Sequence, residues 1–261
     1  MKDISPEMFL YIQKQLDNIE KEYNIEILYA IESGSRGWGF YNKESDYDVR
    51  FIYKRPPDYY LSIKPQKDTI DYFDGDLDFV GWDVKKALYL HWKSNPNLRE
   101  WMNQKIVYKG DCNFLNELPE FNKETLKHHY ASIAYNNWRK FVLKKESEMT
   151  KKVTKIYLYC IRCIFSWILI DEGIDAPLEI DELMNYFKPR LDNRLFNNIY
   201  NLINYYRSNC EITKPSESAI ENISMFIDDK IKLIKSDTPN SKDNPDIEIY
   251  NQRFRKIIKL R

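Results

Sequence analysis

The spacing of apolar residues changes once along this chain of 261 residues, near residue 120, and that change decides the fold class. Before it, short runs alternate apolar and polar side chains: IEILYAI (25–31), YDVRFIYK (47–54), DLDFVGW (76–82) and KIVYK (105–109). Alternation sends successive side chains to opposite faces, as in a strand half-buried in a sheet. After it, apolar residues recur every three or four positions over 123–146, 150–171, 179–188, 190–207 and 216–235. That is the period of amphipathic helices. The order predicts an α+β chain: strands with helices over residues 1–120, then an all-helical C-terminal domain over 121–261.

Local signals fill in the rest. Ser5-Pro6-Glu7 joins a capping serine, a proline at the first helical position and an acid in the first turn, so a helix is expected through Tyr23. Residues 58–63 and 69–73 read as short strands around a turn at Lys64-Pro65. Asp83 and Ser94-Asn95-Pro96 open helices that run to about His91 and Trp101. Residues 236–246 read as an exposed loop, and the terminal NQRFRKIIKLR as a closing amphipathic helix.

A hydrophobic content of 43% with 15% aromatics is enough for a core and excludes global disorder. The longest apolar run, IYLYCIRCIFSWILI, is broken by Arg162 and falls short of the roughly 18 residues of a membrane span. MKDISPEMFL lacks the apolar stretch of a secretory signal. Cys112, Cys160, Cys163 and Cys210 are too few for a disulfide framework. A cytoplasmic chain with no membrane partner is expected. The net charge is zero, but residues 1–120 carry 16 Lys+Arg against 21 Asp+Glu, and residues 121–261 carry 24 against 19. An acidic half joined to a basic half suits a polyanion handled with divalent cations, although ordinary surface charge gives the same imbalance.

Of only seven glycines, Gly34, Gly37 and Gly39 fall in one window between the strands at 25–31 and 47–54. Gly34 lets the chain turn off the first strand and lets backbone N–H groups approach an anion. Ser35 adds a hydroxyl and Arg36 a charge, which makes a phosphate cradle without the spacing of a dinucleotide fingerprint or a P-loop. On the next strand, Asp46, Asp48 and Arg50 share one face, and Tyr47, Val49 and Phe51 the other. Neighbouring carboxylates repel unless a cation or water lies between them. Carboxylates are also the hard ligands that Mg²⁺ accepts beside phosphates. Arg50 either reaches a phosphate or pairs with Asp48; Trp38 and Phe40 either contact a base or anchor the loop.

Lys152, Lys155, Tyr159 and Arg162 fall on one helix face, either a stripe suited to a triphosphate or an RNA backbone, with Tyr159 available to stack on a base, or a solvated face with packed aliphatic stems. Cys160-x-x-Cys163 has no second cysteine pair and no histidine at ligand spacing, so it reads as core.

A strand, Gly-Ser, a spacer and then Asp-x-Asp opening the next strand resembles the nucleotidyltransferase superfamily typified by DNA polymerase beta. GSRGWGF, SDYDVRFIY, LDFVGWDVKKAL, SNPNLREWM, IVY and KVTKIYLYCIRCIFSWIL, in that order over residues 25–188, are similar to the predicted nucleotidyltransferase family labelled YcgL or RlaP. The resemblance implies a palm-like nucleotidyltransferase domain over 1–120, a mixed sheet backed by helices. It also implies three carboxylates around Mg²⁺, as a two-metal site that Mn²⁺ also fills: Asp46, Asp48 and, on a later strand, Asp78, with Asp76 as the rival for third place. Gly34, Ser35 and Arg36, with Lys155 and Arg162, would hold an NTP such as ATP. The implied reaction moves a nucleoside monophosphate to a hydroxyl and releases pyrophosphate. The implied acceptor is an RNA end, in repair or end modification. A protein or small-molecule hydroxyl, as in toxin–antitoxin pairs, and a non-catalytic nucleotide- or RNA-binding module are the competing readings.

Overall fold

The computed structural model describes residues 4–64, 66–144, 149–208, 214–236 and 244–259. The chain forms two compact units, neither continuous in sequence: Met1–Gly37, Asp46–Phe121 and Asp243–Arg261 make one, Trp38–Ser45 and Asn122–Lys242 the other. This departs from a linear division at 120/121 in two places. The loop 38–45 packs with the helices, and the C-terminal segment packs with the sheet.

In chain order the elements are α1 (Pro6–Tyr23), β1 (Glu26–Glu32), α2 (Gly34–Gly37), β2 (Tyr47–Lys54), α3 (Pro57–Tyr60), β3 (Thr69–Asp74), β4 (Leu77–Asp83), α4 (Val84–Trp92), α5 (Pro96–Met102) and β5 (Val107–Gly110). The helical unit follows with α6 (Lys123–Lys144), α7 (Lys151–Asp171), α8 (Ile180–Phe187), α9 (Asn193–Arg207) and α10 (Glu217–Ser236), and α11 (Ile247–Ile257) returns to the sheet unit. The fold class is α+β. The sheet has the order β3-β4-β2-β1-β5. Among these strands β2 and β4 run parallel and the other neighbours antiparallel.

The alternation in the strands sends two apolar sets to opposite faces. Ile27, Val49, Phe51 and Phe79 meet Ile12, Leu16 and Ile19 of α1 on one face. Tyr29, Ile31 and Ile52 meet Val84, Leu98, Trp101 and Tyr250 of α4, α5 and α11 on the other. α1 starts as the sequence indicates, with the Ser5 hydroxyl oxygen accepting from the Met8 N–H at 3.2 Å. Residues 58–63, however, do not form a strand. Pro57 opens one helical turn, and the Tyr60 hydroxyl accepts from the Arg55 N–H and donates to Asp83, which draws that turn onto the end of β4. Most of the expected loop at 236–246 lies outside the described residues, as does Cys210.

α11 is tied to α4 through His91, whose Nδ1 lies 3.1 Å from the Tyr250 hydroxyl and whose ring lies 4.3 Å from that of Phe121. Burial pushes the His91 pKa down to about 4. The folded state therefore binds this proton less tightly than the unfolded chain. The associated stability is complete above the ordinary histidine range and is lost as the pH falls from about 6.5 toward 4. Relative to the wild type, His91→Gln should gain up to about 3 kcal/mol over that window, as read from urea titrations at a series of pH values.

In the helical unit, α7 is central, with Leu158, Ile161, Ile164, Phe165 and Leu169 fully buried. By length and composition it is apolar enough to cross a membrane, but most of it is buried, as in a core helix. Cys160 and Cys163 are buried there.

Candidate active site

The parallel register of β2 and β4 places Asp48 directly opposite Asp78. Asp76 lies in the turn before β4, where its carbonyl accepts from the Tyr47 N–H at 3.0 Å. Arg50, two residues along β2, bridges the facing carboxylates. Its Nη2 donates to Asp48 Oδ1 at 2.8 Å and to Asp78 Oδ2 at 2.9 Å, while Nη1 donates to the Asp78 carbonyl at 2.8 Å. Of the two roles open to Arg50, the structure shows the pairing, and with both acids. Its charge relieves the repulsion of two adjacent carboxylates. Asp78 Oδ1 is buried and accepts no hydrogen bond. Two half-buried carboxylates on one sheet face, one with an orphaned oxygen, are a donor set that suits a hard cation completed by substrate oxygens. Among the described residues no three His, Cys, Asp or Glu side chains converge. Asp46 is exposed on the approach to β2, and its carbonyl accepts from Arg36 Nε at 3.3 Å.

The Gly-Ser turn lies against this pair. Gly34 has φ +59, and a Cβ there would fall inside the Asp48 carboxylate. The Ser33 N–H donates to the Asp48 carbonyl at 2.8 Å, which fastens the turn to β2. Ser35 and Arg36 are buried, and the Arg36 guanidinium covers the Tyr47 ring at 3.9 Å. Gly34→Ala should cost about 2 kcal/mol, from a left-handed backbone and a displaced Asp48, and should lower any activity of the pair. Urea unfolding and a spectroscopic titration with Mn²⁺ would each register the change.

A residue missed in the sequence underlies the site. Glu32, the last residue of β1, is fully buried. Its Oε1 accepts from the Asp48 N–H at 3.1 Å and its Oε2 from the Tyr108 hydroxyl at 2.6 Å. Burial pushes its pKa up to about 7. The signal was an acid closing an apolar strand immediately before the Gly-Ser pair.

Residues 8–256 match the family RlaP, described as the RNA repair pathway DNA polymerase beta family. The chain belongs to that family. An uncharacterised protein, YcgL, of Bacillus subtilis is 37% identical over 178 residues, which are 66% of this chain and 66% of that protein. A solved nucleotidyltransferase-like protein from Exiguobacterium sibiricum is a loose likeness, with 9% identity over 96% of this chain and 80% of its own, at a TM-score of 0.35.

In this RlaP-family chain the second half of the glycine window belongs to the helical unit. Trp38 and Phe40 meet Tyr159 edge-on at 4.9 and 5.9 Å, and Arg162 lies over the Trp38 ring at 4.1 Å. Trp38 and Phe40 are thus anchors. Tyr159 and Arg162, read from sequence as base- and phosphate-facing, hold this loop. Gly39 has φ +78, and its carbonyl accepts from Arg207. Lys155 is half-buried, 6.0 Å from the Tyr159 ring, and Lys152 is exposed. Lys151, not singled out in the sequence, donates to the carbonyls of Tyr205, Tyr206 and Ser208 at the end of α9, where a cation suits the helix dipole.

Proposed function

We propose that this protein is a Mg²⁺-dependent nucleotidyltransferase that moves a nucleoside monophosphate from an NTP to a hydroxyl at an RNA end. The observation that carries the reading is the register of Asp48 and Asp78 beneath the Gly34 turn, in a member of an RNA repair polymerase-beta family. Asp48 and Asp78 would hold Mg²⁺, and Asp46, which does not converge with them in the structure, is the third acid that the resemblance implies. When bound, the ion supplies Lewis-acid stabilisation of phosphoryl charge and a lowered pKa for the attacking hydroxyl.

The chain's own residues prepare the site. Arg50 bridges the two carboxylates. Glu32 fixes the Asp48 backbone from below. Gly34 admits the main chain to within contact of Asp48, so the Gly-Ser turn can present N–H groups to phosphate oxygens without a side chain intervening. Arg36 stiffens this turn on Tyr47. The hydroxyl oxygen forms the new ester bond to the α-phosphorus as the bond to pyrophosphate breaks.

Each α-labelled NTP, incubated in turn with Mg²⁺, total RNA and lysate protein, should label the RNA fraction. Asp46→Ala should abolish that label with the fold intact. Label in the protein fraction alone would overturn the RNA acceptor, and full activity of Asp46→Ala would remove that residue from the site.

A further inference from the structure

The sheet unit holds a cavity of about 380 Å³ at the opposite end of the β2–β4 pair. The register sets Tyr53 beside Asp83 there, ~16 Å along the strands from Asp48 and Asp78 at ~3.3 Å per residue. Asp83 lines the cavity and is only 3% exposed. It accepts from the Tyr60 hydroxyl at 3.1 Å and from the Lys85 N–H at 2.8 Å, so the wall it forms is fixed by hydrogen bonds to both α3 and α4.

Aromatic faces and cations share the lining. Tyr59 and Tyr60 meet edge to face at 5.8 Å, and Tyr89 is 53% exposed. Around them stand Lys64, Lys85 and Lys86. Lys86 pairs with Asp68. Lys64 and Lys85 pair with no carboxylate among the described residues. The first turn of α4 carries two lysines directly behind its Asp83 cap. These cations, beside the exposed ring of Tyr89, form a composition that binds single-stranded nucleic acid. The rings stack on bases and the ammonium groups follow phosphates.

We propose that this cavity binds nucleotide units of a single-stranded RNA, a contact on the acceptor strand away from its reacting end. The choice of RNA rests on the acceptor proposed above; the binding does not depend on transfer.

The test uses the full chain and a fluorescein-labelled 12-nucleotide single-stranded RNA, with anisotropy read in EDTA so that no transfer occurs. The double variant Lys64→Glu/Lys85→Glu should weaken binding at least tenfold and reduce the slope of log Kd against log salt by about 1.4. Tyr89→Ala should weaken binding at least fivefold with the slope unchanged. In the wild-type protein, ultraviolet cross-linking to a 4-thiouridine strand should map to Tyr59, Tyr60 or Tyr89. Wild-type RNA binding by folded variants, or cross-links only elsewhere, would overturn the proposal. So would a loss confined to free AMP or ATP, which would mark a mononucleotide site. Asp48→Asn separates this reading from the active site, since it should bind the strand normally while failing to transfer.

Discussion

Asp48→Asn is expected to lower nucleotidyl transfer by at least about 10³-fold while leaving the fold in place. Asparagine keeps the shape that Gly34 is built against and keeps an oxygen for Arg50 Nη2, so the turn and the bridge survive. What it removes is half of the facing negative charge, and that charge is what a divalent cation is drawn to. The loss should fall on catalysis and Mn²⁺ affinity together, with circular dichroism and the thermal midpoint close to wild type. Asp78→Asn should behave alike, because the parallel register makes the two carboxylates equivalent halves of one site. Transfer by Asp48→Asn at the wild-type rate would remove this pair from the chemistry.

Asp78 entered through the family resemblance, but the face each acid takes was legible locally. Alternation in DLDFVGW commits Leu77 and Phe79 to the core and so turns Asp78 to the other face, while the Gly-Ser turn and Asp48 are close in sequence. Local signals do not state which distant partner an element finds. The loop after Gly37 adjoins the acidic strand in sequence, but Trp38 and Phe40 pack around Tyr159, and that choice employs Arg162 as well. The amphipathic pattern of the last helix shows that one face is buried, not that its Tyr250 meets His91. At 58–63, Pro57 and the hydrogen bonds of Tyr60 outweighed the apolar pattern that suggested a strand. Glu32 went unseen for a related reason. Its partners, the Asp48 N–H and the Tyr108 hydroxyl, come from β2 and β5, which only the folded sheet brings to it.

Those partners make Glu32→Ala a large perturbation, expected to destabilise the protein by about 4 kcal/mol. Two buried donors lose their acceptor, at about 1–3 kcal/mol each, and a small void is added. Glu32→Gln keeps an oxygen for the Asp48 N–H, and its amide group can donate to the Tyr108 oxygen, so it should recover most of the loss. The two variants also separate hydrogen bonding from charge. With a folded pKa of about 7 against an ordinary value of 4.5, the native state binds this proton more tightly than the unfolded chain does. Stability from this group is therefore complete at low pH and falls as the pH rises through about 4.5 to 7, by up to about 3 kcal/mol. His91 runs the other way over nearly the same window. In metal-free buffer the wild type should therefore be nearly flat between about pH 4.5 and 6.5. Glu32→Gln should expose the His91 slope and lose stability as the pH falls, and His91→Gln should expose the opposite slope. Urea titrations of the three proteins at pH 4.5, 5.5, 6.5 and 7.5 decide it. Parallel curves for wild type and Glu32→Gln would show that folding leaves the Glu32 pKa at its ordinary value and would overturn the upward shift.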